Sequence, residues 1–163
     1  MRRIYTGLAW TIAGAVVVQA AAIAFAFGGL LNRVAGGDVV DKALLESRSA
    51  GGVGEAGFFI HAIVGGAIIP LLAIALLIVS FFVHVRGAKL WAAITFGLVV
   101  LQVTLGISIV GVPYLGLLHG ANALAVVAVA TAAALRVRRS ATTAARAGDH
   151  DKAEGATSDA VAA

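Results

Sequence analysis

The chain predicts an all-α, integral membrane, up-down-up-down four-helix bundle, and three observations carry that prediction. The composition is 61% hydrophobic and only 12% charged, far from the balance of a soluble domain. The apolar residues fall in four runs, Ile4–Leu31, Phe58–Val85, Leu90–Val110 and Tyr114–Leu135, each at or above the roughly twenty residues that cross a bilayer's hydrocarbon. The positive residues cluster beside the ends of those runs: Arg2 and Arg3 before the first, Arg86 and Lys89 between the second and third, and Arg136, Arg138 and Arg139 after the fourth. Such clusters mark the cytoplasmic side, and all three fall there when both termini are inside. The reading is a multi-pass protein of the cell membrane.

Each element follows in order. The first run is too long for the apolar region of a signal peptide and is read as a span, with Gly14, Ala22, Ala26 and Gly29 suited to close helix contact. An outer loop, Asn32–Ala56, carries mixed charge and glycine-rich ends around Val39–Ser47, where a short interfacial helix is expected. In the second span Pro70 removes a backbone donor and crowds the carbonyl of Gly66, which predicts a kink there. A tight turn around Arg86-Gly87-Ala88-Lys89 leads to the third span. Gly111-Val112-Pro113 leads to the fourth, with the proline suited to a helix's first turn. Short connections make successive helices antiparallel neighbours. Residues 1–139 thus form one transmembrane domain, and 140–163, alanine-rich with scattered charge, read as a disordered cytoplasmic tail.

The net charge of +4 is accounted for by these topological clusters, so no nucleic-acid partner is expected. With no cysteine, disulfides, iron–sulfur clusters, thiolate metal sites and c-type haem attachment are excluded. Phosphate-binding and dinucleotide motifs are missing. The spans hold no carboxylate, which argues against proton pumping or ion-coupled transport.

What remains is a small set of polar side chains inside the spans. His84 and His150 have bland readings, at a span end and in the tail. His61 lies four residues past Gly57 and His119 six past Pro113, so at 1.5 Å per residue they sit about 6 and 9 Å below the outer surface. The second and fourth helices are diagonal in such a bundle, which turns both imidazoles inward at one level. Residues four apart share a helix face, so Gly57, His61 and Gly65 form a stripe continued by Ile68 and Leu72. Gly116 and Ala123 share the face of His119, beside Gly120. A nitrogen ligand with no bulky side chain above or below it is what a flat macrocycle requires, and histidine is a recurrent axial ligand of haem iron. The expectation is a non-covalent haem b held by His61 and His119, with Gly57, Gly65 and Gly116 as clearance. Asn122 orients a ring nitrogen or lines the pocket. Arg33, Arg48 and Tyr114 are candidate propionate partners at the outer surface, and Gln19 and Gln102 are expected to make interhelical hydrogen bonds. Two histidines without a carboxylate or thiol make a poor zinc or copper site.

The segment LQVTLGISIVGVPYLGLLHGANALAV, Leu101–Val126, resembles the heme A synthase family, whose pattern runs from a glutamine through a leucine-glycine turn and a tight proline connection to a histidine entering the next helix. The chain is similar to one four-helix half of that family, more broadly to a small four-helix membrane b-type cytochrome. The resemblance implies haem ligation by histidines of the second and fourth helices, here His61 and His119. Half-length members that assemble as dimers are the precedent for so short a chain. The family's extracytoplasmic cysteine pair is missing, and Phe58 stands where a glutamate precedes the second-helix histidine. The resemblance therefore implies the haem pocket and not the hydroxylation.

The function expected is a haem b-binding membrane protein that transfers electrons or binds haem near the outer leaflet, with a second copy or a redox subunit as partner. The alternatives are a cofactor-free accessory or scaffold subunit and a haem-modifying enzyme related to the synthases.

Overall fold

The computed structural model describes residues 1–42 and 52–162, with side chains for 1–42, 52–140 and 143. It is all-helical, with no strand among the described residues. Four helices are long and apolar enough to cross a membrane. They are α1 (Arg2–Ala35), α2 (Glu55–Ser80), α3 (Ala88–Ser108) and α4 (Leu115–Ala162). Helix α1 packs on α2, α2 on α3, α3 on α4 and α4 back on α1, so α2 and α4 face each other across the ring.

The packing inverts the soluble pattern. The core is built largely from small residues, among them Ala9, Ala13, Ala73, Ala92, Ala130, Ala133 and Ala134. The large side chains Phe25, Phe27, Leu71, Ile107, Leu117 and Leu124 are exposed. Water does not tolerate apolar surface on every helix, whereas lipid does, and small residues let membrane helices approach closely. Along α1 the buried positions run Tyr5, Ala9, Ile12, Val16, Gln19, Ala22, Ala26 and Gly29. Steps of three and four keep one seam facing its neighbours.

The α1–α2 contact is the tightest. A methyl group added at Gly57 would collide with the Ala22 carbonyl and lie 3.0 Å from the Ala26 backbone nitrogen. Gly54, which precedes α2 at φ +94°, lies against Gly29 and the Phe25 carbonyl. Three of the small α1 residues singled out in the sequence, Ala22, Ala26 and Gly29, are used here; Gly14 touches nothing within 4 Å. At the end of α1, Arg33 pairs with Asp38 at 3.0 Å and with Glu55 at 2.8 Å, tying the last turn of α1 to the first of α2.

Within α2 the expected kink takes a particular form. Residues Val64–Ile68 are π-helical, and the Ile69 N–H bonds the Val64 carbonyl five residues back. The wider turn lies one residue before Pro70, which has no N–H to give. It also adds one residue to the register. The buried stripe therefore resumes at Ile69, Ala73, Leu76 and Ser80, while Ile68 is 43% exposed. This corrects the stripe drawn through Ile68 and Leu72, which assumes an unbroken 3.6-residue period.

Two further boundaries differ from expectation. Helix α2 stops at Ser80, five residues before Val85, because the chain turns to bring Val83 into the core at 5% exposure; Gly87, at φ +86°, then opens α3. The tail expected to be disordered over 140–163 continues as α4 through Ala162, in keeping with alanine's helix propensity. The interfacial helix expected at Val39–Ser47 falls mostly outside the described residues. Near the α1 start, the buried Tyr5 hydroxyl donates to the Ala88 carbonyl at 2.9 Å.

Gly57→Ala is expected to cost about 1–3 kcal/mol, as overpacking of a close contact does. Gly120→Ala, with nothing within 4 Å of the new methyl, should be neutral or slightly stabilising. Reversible unfolding in mixed micelles compares the two directly.

Candidate functional site

The dry core ends at one polar layer. It lies beyond Val16 on α1 and Val99 on α3, and before Ile69 on α2 and Val126 on α4. There the structure brings together Gln19, His61, Gln102, His119 and Asn122. The His61 and His119 rings, from facing helices, have centroids 6.2 Å apart and planes inclined at 59°. Both rings are half-buried.

Each imidazole is fixed by the backbone of a neighbouring helix. His61 Nδ1 lies 3.3 Å from the Gln19 carbonyl, and His119 Nδ1 lies 3.1 Å from the Gln102 carbonyl. A carbonyl only accepts, so each Nδ1 is the donor. Each neutral ring then presents Nε2 as a lone pair. Histidines that bind metals are held this way, with the second nitrogen donating to a carbonyl or carboxylate. The arrangement occurs twice, as Gln19–His61 between α1 and α2 and as Gln102–His119 between α3 and α4.

The two halves differ in their side-chain amides. Gln102 Nε2 lies 3.1 Å from His119 Nε2, and its Oε1 accepts from Asn122 Nδ2 at 2.7 Å. Asn122 also donates to the Leu98 carbonyl at 2.9 Å. Asn122 thus acts on His119 through Gln102, fixing which way that carboxamide points. Gln19, only 7% exposed, has neither amide atom hydrogen-bonded. A buried carboxamide left unpaired costs about 1–3 kcal/mol, and this one lies against Gly65.

The glycines divide. Gly57 serves the α1 contact, and a methyl group at Gly65 would lie 3.2 Å from the Gln19 carboxamide. Both face α1, so each serves packing there, on the same side as the His61 contact with the Gln19 carbonyl. Gly116, like Gly66 and Gly120, has nothing within 4 Å of an added methyl. A methyl group added at Gly106, which was not among the candidate site residues, would lie 3.1 Å from His119 Cε1, so the glycine lets that ring lie against α3. Its signal was its place four residues after Gln102. Of the outer-surface candidates, Arg33 is engaged by Asp38 and Glu55, Tyr114 is exposed, and Arg48 falls outside the described residues. His84 is exposed in the α2–α3 turn.

The donor set limits what a metal group could use here. Among the described residues no three His, Cys, Asp or Glu side chains gather, so a bare ion would find two protein ligands. A macrocycle brings its own four nitrogens and needs two. One atom bonded at about 2 Å to both imidazole nitrogens puts the ring centroids about 6 Å apart, close to the separation seen. Compared with protein-family models, curated proteins and solved structures, the chain gives no match.

The network makes a spectroscopic prediction. Nitrogen-15 NMR of histidine-labelled protein should find the Nδ1–H form at both His61 and His119. Asn122→Ala should shift the His119 Nε2 resonance, leave His61 unmoved, and cost about 1 kcal/mol for the lost hydrogen bonds.

Proposed function

We propose that this chain is a haem b-binding integral membrane protein, an up-down-up-down bundle with both termini cytoplasmic, in which His61 and His119 are the two axial ligands. The observation that carries the reading is the histidine pair itself: two rings 6.2 Å apart on facing helices, each with Nδ1 on a backbone carbonyl and Nε2 left as a lone pair. The buried Gln19 carboxamide, against Gly65 one turn on from His61, has no hydrogen-bond partner. The basic clusters at Arg2–Arg3, Arg86–Lys89 and Arg136–Arg139 support the orientation. The resemblance of Leu101–Val126 to one half of heme A synthase implies His119 as a ligand, and the family's second-helix histidine corresponds to His61.

Bound there, haem b supplies one-electron chemistry. The chain's own residues hold and insulate it. The Gln19 and Gln102 carbonyls keep the rings in the ligating form. Gln102, which accepts from Asn122, would have to release His119 Nε2 for that nitrogen to serve as a ligand. The apolar surround excludes water. An electron carrier or haem-binding protein is the reading, with a second copy or a redox subunit as partner.

One observation favours a cofactor-free accessory subunit instead. Gly57 and Gly65 pack against α1, and His119 already has partners on both nitrogens. The two readings separate cleanly. Protein expressed with haem supply should show a Soret band that shifts on reduction. His61→Ala or His119→Ala should remove most of it while leaving the helical circular dichroism unchanged. A colourless wild type supports the cofactor-free bundle.

A further inference from the structure

The hydrogen bonds around His119 close on themselves in a way that those around His61 do not. Two backbone carbonyls, which can only accept, fix the direction of each bond in the chain. The Leu98 carbonyl accepts from Asn122 Nδ2 at 2.9 Å, and the same nitrogen donates to Gln102 Oε1 at 2.7 Å. The Gln102 amide nitrogen therefore meets His119 Nε2, at 3.1 Å, as a donor. The Gln102 carbonyl accepts from His119 Nδ1 at 3.1 Å, which leaves Nε2 as the acceptor that this donor requires. One residue thus holds both ring nitrogens. The Cε1 edge between them lies against α3, where a methyl group added at Gly106 would be 3.1 Å away. His61 has the carbonyl contact alone, at 3.3 Å.

We propose that Gln102 is a positioning residue that makes His119 the exchangeable member of the pair, so that a diatomic gas enters on the α3–α4 side while His61 stays bound. The proposal rests on the haem reading. The step is a ligand exchange: the bond from His119 Nε2 to iron breaks, Nε2 accepts the Gln102 N–H, and the gas takes its place, with no electron or proton transferred. His119 has a donor to return to, held in place by Asn122. His61 Nε2 has none among the described residues, and a buried acceptor left unpaired is costly. One hydrogen bond at the released nitrogen decides which histidine leaves.

The test uses the haem-loaded protein, reduced and exposed to carbon monoxide, with histidine labelled in nitrogen-15; the complex is diamagnetic and suits NMR. His119 Nε2 should return to its resonance in the haem-free protein, and His61 Nε2 should not. Gln102→Leu, which keeps the backbone carbonyl and removes the N–H, should slow carbon monoxide binding about tenfold, the worth of one hydrogen bond. Thr104→Val, on the same helix with its hydroxyl on the Val100 carbonyl, should leave the rate within twofold. Release of His61 instead, equal rates in the wild type and Gln102→Leu, or a wild type that holds low-spin haem and binds no gas overturns this proposal alone. A wild type that takes up no haem overturns the haem reading and this proposal with it.

Discussion

The constraint on which this structure depends is that lipid offers no hydrogen bonds. Polar groups within the spans must find partners inside the protein. This chain carries few of them, and five converge on one layer: Gln19, His61, Gln102, His119 and Asn122. Around that layer the rest is packing. Alanines and glycines bring the backbones together, and bulky side chains face outward. The polar layer specifies how the helices meet, because any rotation that separated His61 from the Gln19 carbonyl, or His119 from that of Gln102, would strand a donor in hydrocarbon.

The layer is not evenly satisfied, and the imbalance is informative. On the α3–α4 side the network closes through Asn122, Gln102 and both nitrogens of His119. On the α1–α2 side His61 Nε2 has no partner in the described network, and the Gln19 carboxamide is buried without one. The π-helical turn at Val64–Ile68 lies immediately below. Such single-turn bulges occur often at functional sites. Here its physical effects are to shift the register by one residue and to leave Gly66 open.

Much of the fold was legible in the sequence because hydrophobic runs and glycine-bounded turns are local signals. The four runs agree with the four candidate spans to within about five residues at each end, although α4 itself runs on to Ala162, and the nearness of His61 to His119 follows from counting residues below matched boundaries. What was not legible depended on non-local effects. The one-residue slip that exchanges Ile68 and Leu72 for Ile69 and Ala73 arises at a π turn ahead of Pro70, and no single residue announces it. The stop at Ser80 depends on Val83 finding the core. Gly57 and Gly65 share a face with His61, and the sequence did not say that this face is turned to α1. A glycine's absent side chain says that something comes close, not what.

The central claim is that His61 and His119 ligate one haem iron, and electron paramagnetic resonance of the oxidised, haem-loaded protein tests it most directly. Two imidazole ligands give a six-coordinate, low-spin ferric signal in the wild type, and loss of either histidine converts the haem that remains bound to high-spin. A high-spin signal in the wild type, or a low-spin signal that survives both single substitutions, would contradict the claim.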